Sequence, residues 1–196
     1  MPNCVPDTPI IETRESGYRF GAAQLDCPTI GNQRKRGGML DQDMKRIVAE
    51  TILSFVATTN EDGSPNLSPK SSLRVYDDTH LLFANMASPG TVRNLRRDDR
   101  IEINCVDIFG RRGYRFAGQA TVLSGDDPVY LDLKKDVAAE HGEAIPVFDA
   151  VLVKVLDAKP VISPAYTFIE GVTEEALRAA YLAKYGVQAI GGGAVK

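Results

Sequence analysis

Two segments of this chain concentrate hydroxyls and fixed positive charge: Ser68-Pro69-Lys70-Ser71-Ser72-Leu73-Arg74 and Ser88-Pro89-Gly90-Thr91-Val92-Arg93-Asn94-Leu95. The apolar run Leu81-Leu82-Phe83-Ala84 lies between them, so one strand and its turn can deliver both to the same rim. That is the composition of a phosphate pocket. In the second segment Ser88 is placed to cap a helix whose first position is Pro89, a residue with no N–H to lose. The amides from Gly90 onward are then free to face an anion.

No other constellation in the chain carries chemistry of its own. There is no metal-ligand cluster, no nucleophile triad, no G-x-G-x-x-G and no G-x-x-x-x-G-K-[ST]. His80, beside a turn, and His141, near Gly142, lack a partner at catalytic spacing and receive no role. The three cysteines are odd in number and have no C-x-x-C spacing, which points to a reducing, cytoplasmic setting. Cys105 sits in the apolar run Ile101-Glu102-Ile103-Asn104-Cys105-Val106 and reads as a small core side chain.

With 196 residues the chain suits one ordinary domain. A net charge of −3 argues against a nucleic-acid partner held by bulk electrostatics, and the run Arg34-Lys35-Arg36 reads as a solvated loop. No apolar stretch approaches the roughly 20 residues that cross a bilayer, and no leader pattern opens the chain, so neither membrane insertion nor secretion is expected.

The elements that must position the two segments can be traced from periodicity. Residues 1–38 read as an N-terminal arm, 39–185 as the folded domain, and 186–196, with Gly191-Gly192-Gly193, as a flexible tail. Behind Asp41, Met44, Ile47, Val48 and Thr51 recur at helical spacing. Strands follow over Ile52–Thr59, Asn66–Tyr76 and His80–Ala87, with turn chemistry in Asn60-Glu61-Asp62-Gly63-Ser64-Pro65 and at Asp77-Asp78. After a short helix over Pro89–Arg97 come strands at Ile101–Ile108 and Tyr114–Leu123. A helix over Asp126–His141 covers one barrel end, and Val147–Leu156 is the sixth strand. Thr173-Glu174-Glu175 opens a last helix that Gly186 ends. Closely spaced strands with hairpin links predict a mainly β domain with helices, an antiparallel sheet closing into a small six-stranded barrel.

The order of these elements and the wording of several segments resemble the FMN-binding split β-barrel family that includes pyridoxamine 5′-phosphate oxidase. The resemblance covers about residues 39–185. It rests on Asp-Gly-Ser-Pro-Asn at 62–66, Ser-Pro-Lys at 68–70, Ser-Pro-Gly-Thr-Val-Arg-Asn-Leu at 88–95 and Gly-Tyr-Arg-Phe-Ala-Gly at 113–118. It implies a homodimer with FMN in a cleft at the interface. It implies cofactor contacts from Lys70, Ser71, Ser72 and Arg74 on the strand under the flavin, from Asn85 at the end of the next strand, and from Ser88 and Thr91 on the phosphate-binding turn.

In that family Arg or Lys often stands where this chain has Gly90 and Thr91. Lys70 and Arg93 are the substitutes the chain offers for the missing charge, because a cation facing phosphate makes charge-assisted hydrogen bonds. Arg93 reads equally as part of a solvated helix face with Arg96 and Arg97, and Asn94 equally as a helix-terminal polar group with no ligand. Tyr114 and Phe116 read as core or dimer packing.

The function so implied is that of an FMN-dependent flavoprotein oxidoreductase, taking electrons from a donor and acting on a small molecule. Pyridoxamine phosphate oxidation itself is not expected, because the substrate-gripping Tyr, Arg and Ser set and the C-terminal Trp of that branch are missing. The alternatives are a non-catalytic flavin- or haem-binding module, a deazaflavin-dependent reductase of a neighbouring branch, and an interaction protein with a vestigial pocket.

Overall fold

The computed structural model describes residues 39–188. The arm expected over 1–38 and the glycine tract of the expected tail lie outside these residues. The chain order is α1 (Gln42–Glu50), β1 (Ser54–Thr59), β2 (Pro65–Lys70), β3 (Arg74–Val75), β4 (His80–Asn85), α2 (Pro89–Arg97), β5 (Arg100–Asp107), β6 (Arg112–Leu123), α3 (Pro128–His141), β7 (Asp149–Ile162), α4 (Ala165–Phe168) and α5 (Glu174–Tyr185). All seven strands join one antiparallel sheet in the order β2-β1-β5-β6-β7-β4-β3.

The connection from β2 to β3 shapes the molecule. The continuous strand expected over Asn66–Tyr76 is two strands, interrupted at Ser71-Ser72-Leu73, which is why there are seven rather than six. β2 pairs with β1 at one edge of the sheet and β3 with β4 at the other. Four Cα steps span at most about 14 Å, whereas seven flat strands would hold their outer members about 29 Å apart. The sheet therefore has to roll up, bringing its two edges together without pairing them. The Ser72 hydroxyl holds the crossing by accepting the Ala84 N–H at 3.0 Å, just beyond the point where the β3–β4 ladder stops.

Rolling puts alternate side chains inside. Val56, Leu81, Phe83, Ile103, Cys105, Phe116, Val151 and Val153 fill the interior, and Ile47 and Val48 of α1 with Val92 and Leu95 of α2 close it. β4 is buried on both faces, because Leu82 and Ala84 point outward and are covered by Tyr130, Leu133 and Val137 of α3. α3 thus packs on the outer side of β4 and β7 rather than over a barrel end. β7 is longer than expected, running to Ile162 opposite Arg112. Cys105 is fully buried, and burial pushes its thiol up to about 11, which makes it a core side chain and a poor nucleophile.

The helix boundaries follow local chemistry. Asp41 accepts the Met44 N–H at 2.9 Å, Asp127 caps α3, and Thr173 accepts the Ala176 N–H at 3.2 Å. Gly186 ends α5 with φ +68°.

α5 is held by charge more than by apolar burial, since Leu177 is its one buried side chain. Glu174 accepts from Arg112 at 2.8 Å and from Arg46 of α1 at 3.3 Å, and lies 3.7 Å from Arg178. Asp43 joins the network through Arg112, Arg46 and the Tyr114 hydroxyl. The Arg112 hydrogen bond holds the Glu174 carboxyl below its ordinary value. Burial works the other way on Asp43, but hydrogen bonds from Tyr114 and Arg46 and the Arg112 charge outweigh it and lower its pKa too. Both carboxylates are depressed, so their contribution is complete above the ordinary carboxylate range near pH 4 and is lost as pH falls through the lowered values. Glu174→Gln is expected to speed amide hydrogen exchange in α5 several-fold and leave β6 and β7 protected. Unchanged exchange would show that α5 is held by something else.

Candidate functional site

The rolled sheet leaves a gap between its edges, and β2 lines one side of it. Alternation points Asn66, Ser68 and Lys70 inward, and the register sets them opposite Thr58, Val56 and Ser54 of β1. α2 packs against β2, β1 and β6. Asn66 reaches it, donating to Thr58 Oγ1 at 3.0 Å and to Thr91 Oγ1 at 3.3 Å. Asn94, 2 % exposed, donates to Thr58 Oγ1 at 3.1 Å and to Asn60 Oδ1 at 2.9 Å. Two of the expected ligand contacts, Thr91 and Asn94, are therefore engaged in fastening α2 to β1 and β2.

At the C-terminal end of β4, Asn85 organises the entry to α2. Its Nδ2 donates to Asp149 Oδ2 at 2.7 Å, and its Oδ1 accepts from the Ser88 N–H at 3.1 Å and the Ser88 hydroxyl at 3.2 Å. Ser88 is the residue before the helix, as expected, but its hydroxyl is turned to Asn85 and caps no helix amide. Pro89 has no N–H, so the amides of Gly90 and Thr91 are left without an acceptor among the described residues. These are the donors that a helix start offers to an anion, strengthened by the helix dipole. Gly90 keeps the approach open: a Cβ there would come no nearer than 3.9 Å to Asn66 Oδ1 and 4.0 Å to the Arg93 guanidinium.

Two cations belong to this corner. Arg93 is exposed, lies back over Gly90 and has no carboxylate partner among the described residues. Lys70 is 5 % exposed; its Nζ turns back along β2 to donate to Ser68 Oγ at 2.6 Å and Pro69 O at 3.1 Å, and sits 5.7 Å from the centre of the Phe83 ring. Ser68 is one strand repeat, about 7 Å, from Asn66 and hence from the contact with Thr91. Burial lowers the Lys70 amine to about 8. The neighbouring Arg96 is spent on Asp149, 2.7 Å away, which together with Asn85 compensates that buried carboxylate.

The remaining candidates are distributed more widely. Ser71 is exposed at the crossing, and the Ser72 hydroxyl is engaged by the backbone of β4. Arg74 stands opposite Leu82 on the outer face and meets Asp136 of α3 at 3.1 Å, so it is turned away from the gap. Asn66 is a further residue of the corner, signalled in the sequence by strand alternation from Lys70. Asp149 had no local signal, being 64 positions from Asn85. His80 does have an acidic neighbour, Asp77, 2.9 Å from its Nδ1, but Asp77 is mainly a hairpin cap that also accepts from the Thr79 and His80 amides.

Tyr114 stacks on Phe116 with ring centres 6.0 Å apart and belongs to the packing around α1. Among the described residues no cluster could hold a metal ion, and no helix is long and apolar enough to cross a membrane. The clearest concavities lie elsewhere, one of about 710 Å³ on the outer face of β1, β5 and β6 and one of about 480 Å³ beside the end of α5. At the corner Ala87, Pro89 and Arg93 are exposed, whereas Lys70 is buried.

Comparison with known proteins adds a family to this geometry. Residues 40–178 match the family described as pyridoxamine 5′-phosphate oxidase. Among solved structures, Group A Streptococcus HupZ is 28% identical with a TM-score of 0.57, the match covering 64% of this chain and 96% of that one. An FMN-binding protein from Syntrophomonas wolfei is 18% identical with a TM-score of 0.54, over 62% of this chain and 86% of that one. A provisionally assigned pyridoxamine 5′-phosphate oxidase from Lactobacillus delbrueckii is 22% identical with a TM-score of 0.51, over 62% and 93%. The last two speak for the fold alone. No curated protein gives a significant match.

Proposed function

The chain belongs to the pyridoxamine 5′-phosphate oxidase family, and on that footing we propose that it is a flavoprotein oxidoreductase that holds FMN by its phosphate in the corner between β2 and α2. The observation that carries this reading is the uncapped start of α2, where among the described residues two backbone amides are without acceptors and Arg93, lying back over Gly90, is without a carboxylate partner. A phosphate dianion bound there would satisfy these three, with the buried Lys70 of β2 as a further source of charge. The residues present fit the group: the Gly90 and Thr91 amides and Arg93 would bind the phosphate oxygens, Lys70 would supply charge from below, and Ser71 and Ser88 have hydroxyls at the rim. Bound FMN supplies hydride and single-electron transfer that no side chain of this corner can perform.

The protein's own contribution is placement. Asn85 orients the α2 entry, the Asn66–Thr58–Asn94 network fixes the helix on the sheet, and Phe83 keeps water from the floor. Because the start of α2 is exposed, with Arg93 at the surface, a second copy of the chain is the element that would complete a cleft over it, and the functional unit is a homodimer acting on a small molecule in the cytoplasm. The shortage of acids and bases near the corner favours one second reading, a flavin-binding module without turnover. Steady NAD(P)H oxidation that rises with an added acceptor separates the enzyme from the module.

The test is the visible spectrum of the protein as purified and its titration with two flavins. FMN is expected to bind in the micromolar range or tighter, about −8 kcal/mol, and riboflavin, which lacks the phosphate, at least a hundredfold more weakly, about 2.7 kcal/mol. Equal affinities would remove the phosphate from the corner. Failure of both to bind would remove the flavin.

A further inference from the structure

Among the described residues Lys70 is an amine buried without a counter-charge, and none of their charged groups pairs with its Nζ. β2 provides the Ser68 hydroxyl and the Pro69 carbonyl, β1 provides Ser54, β5 the Cys105 thiol behind Ser54, and β4 the Phe83 ring. Other charged groups of the corner are Arg93 of α2, a like charge, and the Arg96–Asp149 pair, already closed on itself. Arg74 of β3 is turned outward to Asp136. An ammonium so placed loses its hydration and gains only neutral dipoles.

These contacts suit either protonation state. The Ser68 hydroxyl accepts from an ammonium or donates to a neutral amine, and the Pro69 carbonyl accepts an N–H from both. Nothing in the ligand-free corner forces the proton to stay.

We propose that Lys70 exchanges a proton in step with the corner's anion, standing largely neutral in the empty site in mildly alkaline solution and taking a proton from solvent when a phosphate dianion enters. This rests on the phosphate reading above and adds a regulation to it. Affinity for FMN then depends on pH through the protein rather than through the ligand, whose phosphate is already a dianion well above its second ionisation near 6. The site favours doubly charged phosphomonoesters because only they repay protonation of a buried amine. The lowering of the Lys70 amine to about 8 by burial accords with this, whereas Cys105, raised to about 11, stays a thiol throughout and contributes nothing.

Three measurements on the full chain test the proposal. The FMN dissociation constant is expected to be level from pH 7 to about 8 and to rise above it, approaching tenfold per pH unit, with riboflavin unaffected. Calorimetry at alkaline pH in two buffers of different ionisation enthalpy is expected to show about one proton taken up per FMN bound. Lys70→Arg, whose side chain does not lose its proton, flattens the profile and abolishes the uptake while retaining binding.

Competitive acylation of the ligand-free protein provides a reading that does not need FMN. Lys70 should titrate well below an ordinary exposed lysine side chain, for which the reference is about 10.4. FMN binding with a flat profile and no proton uptake overturns this proposal and leaves the phosphate site standing. Lys70 titrating with the surface lysines overturns it as well. Absence of FMN binding at every pH removes the site and the proposal together.

Discussion

Lys70→Met is expected to make the ligand-free protein more stable and to weaken FMN binding at least tenfold, about 1.4 kcal/mol. Methionine preserves the length and volume of the buried stem, fills the space over Phe83 and brings no charge. The stability gain has a definite sign. The folded protein holds the lysine near 8 and the unfolded chain near 10.5, so below pH 8 the charged amine opposes folding. That penalty shrinks as pH rises from 8 to 10.5, because across this window the unfolded chain binds the extra proton. The difference between 10.5 and 8 corresponds to about 3 kcal/mol at neutral pH, and a raised melting temperature of roughly 6–12 °C is expected for the variant.

The difference from wild type should close toward pH 10.5. A destabilised Lys70→Met would show that the ammonium is a satisfied structural group, and an unchanged FMN constant would take Lys70 out of the site. A residue that lowers stability in the corner proposed for phosphate is best understood as kept for the ligand.

The second large effect concerns the hairpin that carries β5 and β6. Gly113→Ala is expected to cost at least about 3 kcal/mol and to lower the melting temperature by roughly 6–12 °C. A Cβ at Gly113 would lie 1.9 Å from the Cys105 carbonyl oxygen and 2.7 Å from the Val106 Cα. Both obstacles are backbone, and they belong to the strand with which Gly113 is paired opposite Val106. Relief requires prying β6 from β5 along the wall that buries Cys105 and Phe116.

Gly63→Ala provides the contrast, since a Cβ there meets nothing within 4 Å and only φ +82° is strained, an effect of about 1 kcal/mol. Equal melting temperatures for wild type and Gly113→Ala would contradict the register of this hairpin. The Gly-Tyr-Arg-Phe-Ala-Gly segment thus has a packing reason for its first glycine. Its last has a similar one, because a Cβ at Gly118 would lie 2.4 Å from the Lys154 carbonyl oxygen at the bulge between β6 and β7.

Much of the frame is legible locally. The bounds of α2, Pro89 to Arg97, follow from a proline with no N–H to lose at one end and from paired arginines at the other. The caps of α1 and α5 follow from Asp41, Thr173 and Gly186, whose effects reach only three or four residues along the chain. Cys105 is recognisable as core from the alternation around it. The same locality explains the break that was not visible: through residues 66–76 the composition stays compatible with one strand, and only the partners differ. The first half pairs with β1 and the second with β4, choices made by residues far away in sequence.

The amino-acid sequence by itself determined that two hydroxyl-rich, cationic segments flank a buried strand, that a helix begins at Pro89 with unpaired amides, and that the chain builds an antiparallel barrel. Those properties are set by side-chain type and short-range periodicity. Only the tertiary structure decided which polar groups remain free for a ligand. Long-range contacts consume Thr91, Asn94, Ser72 and Arg74 in holding the fold. Asn85 draws the Ser88 hydroxyl away from the helix, while Lys70 is left buried among neutral groups. A hydrogen-bonding group is available for function when folding has not already supplied its partner, and that supply depends on residues dozens of positions away.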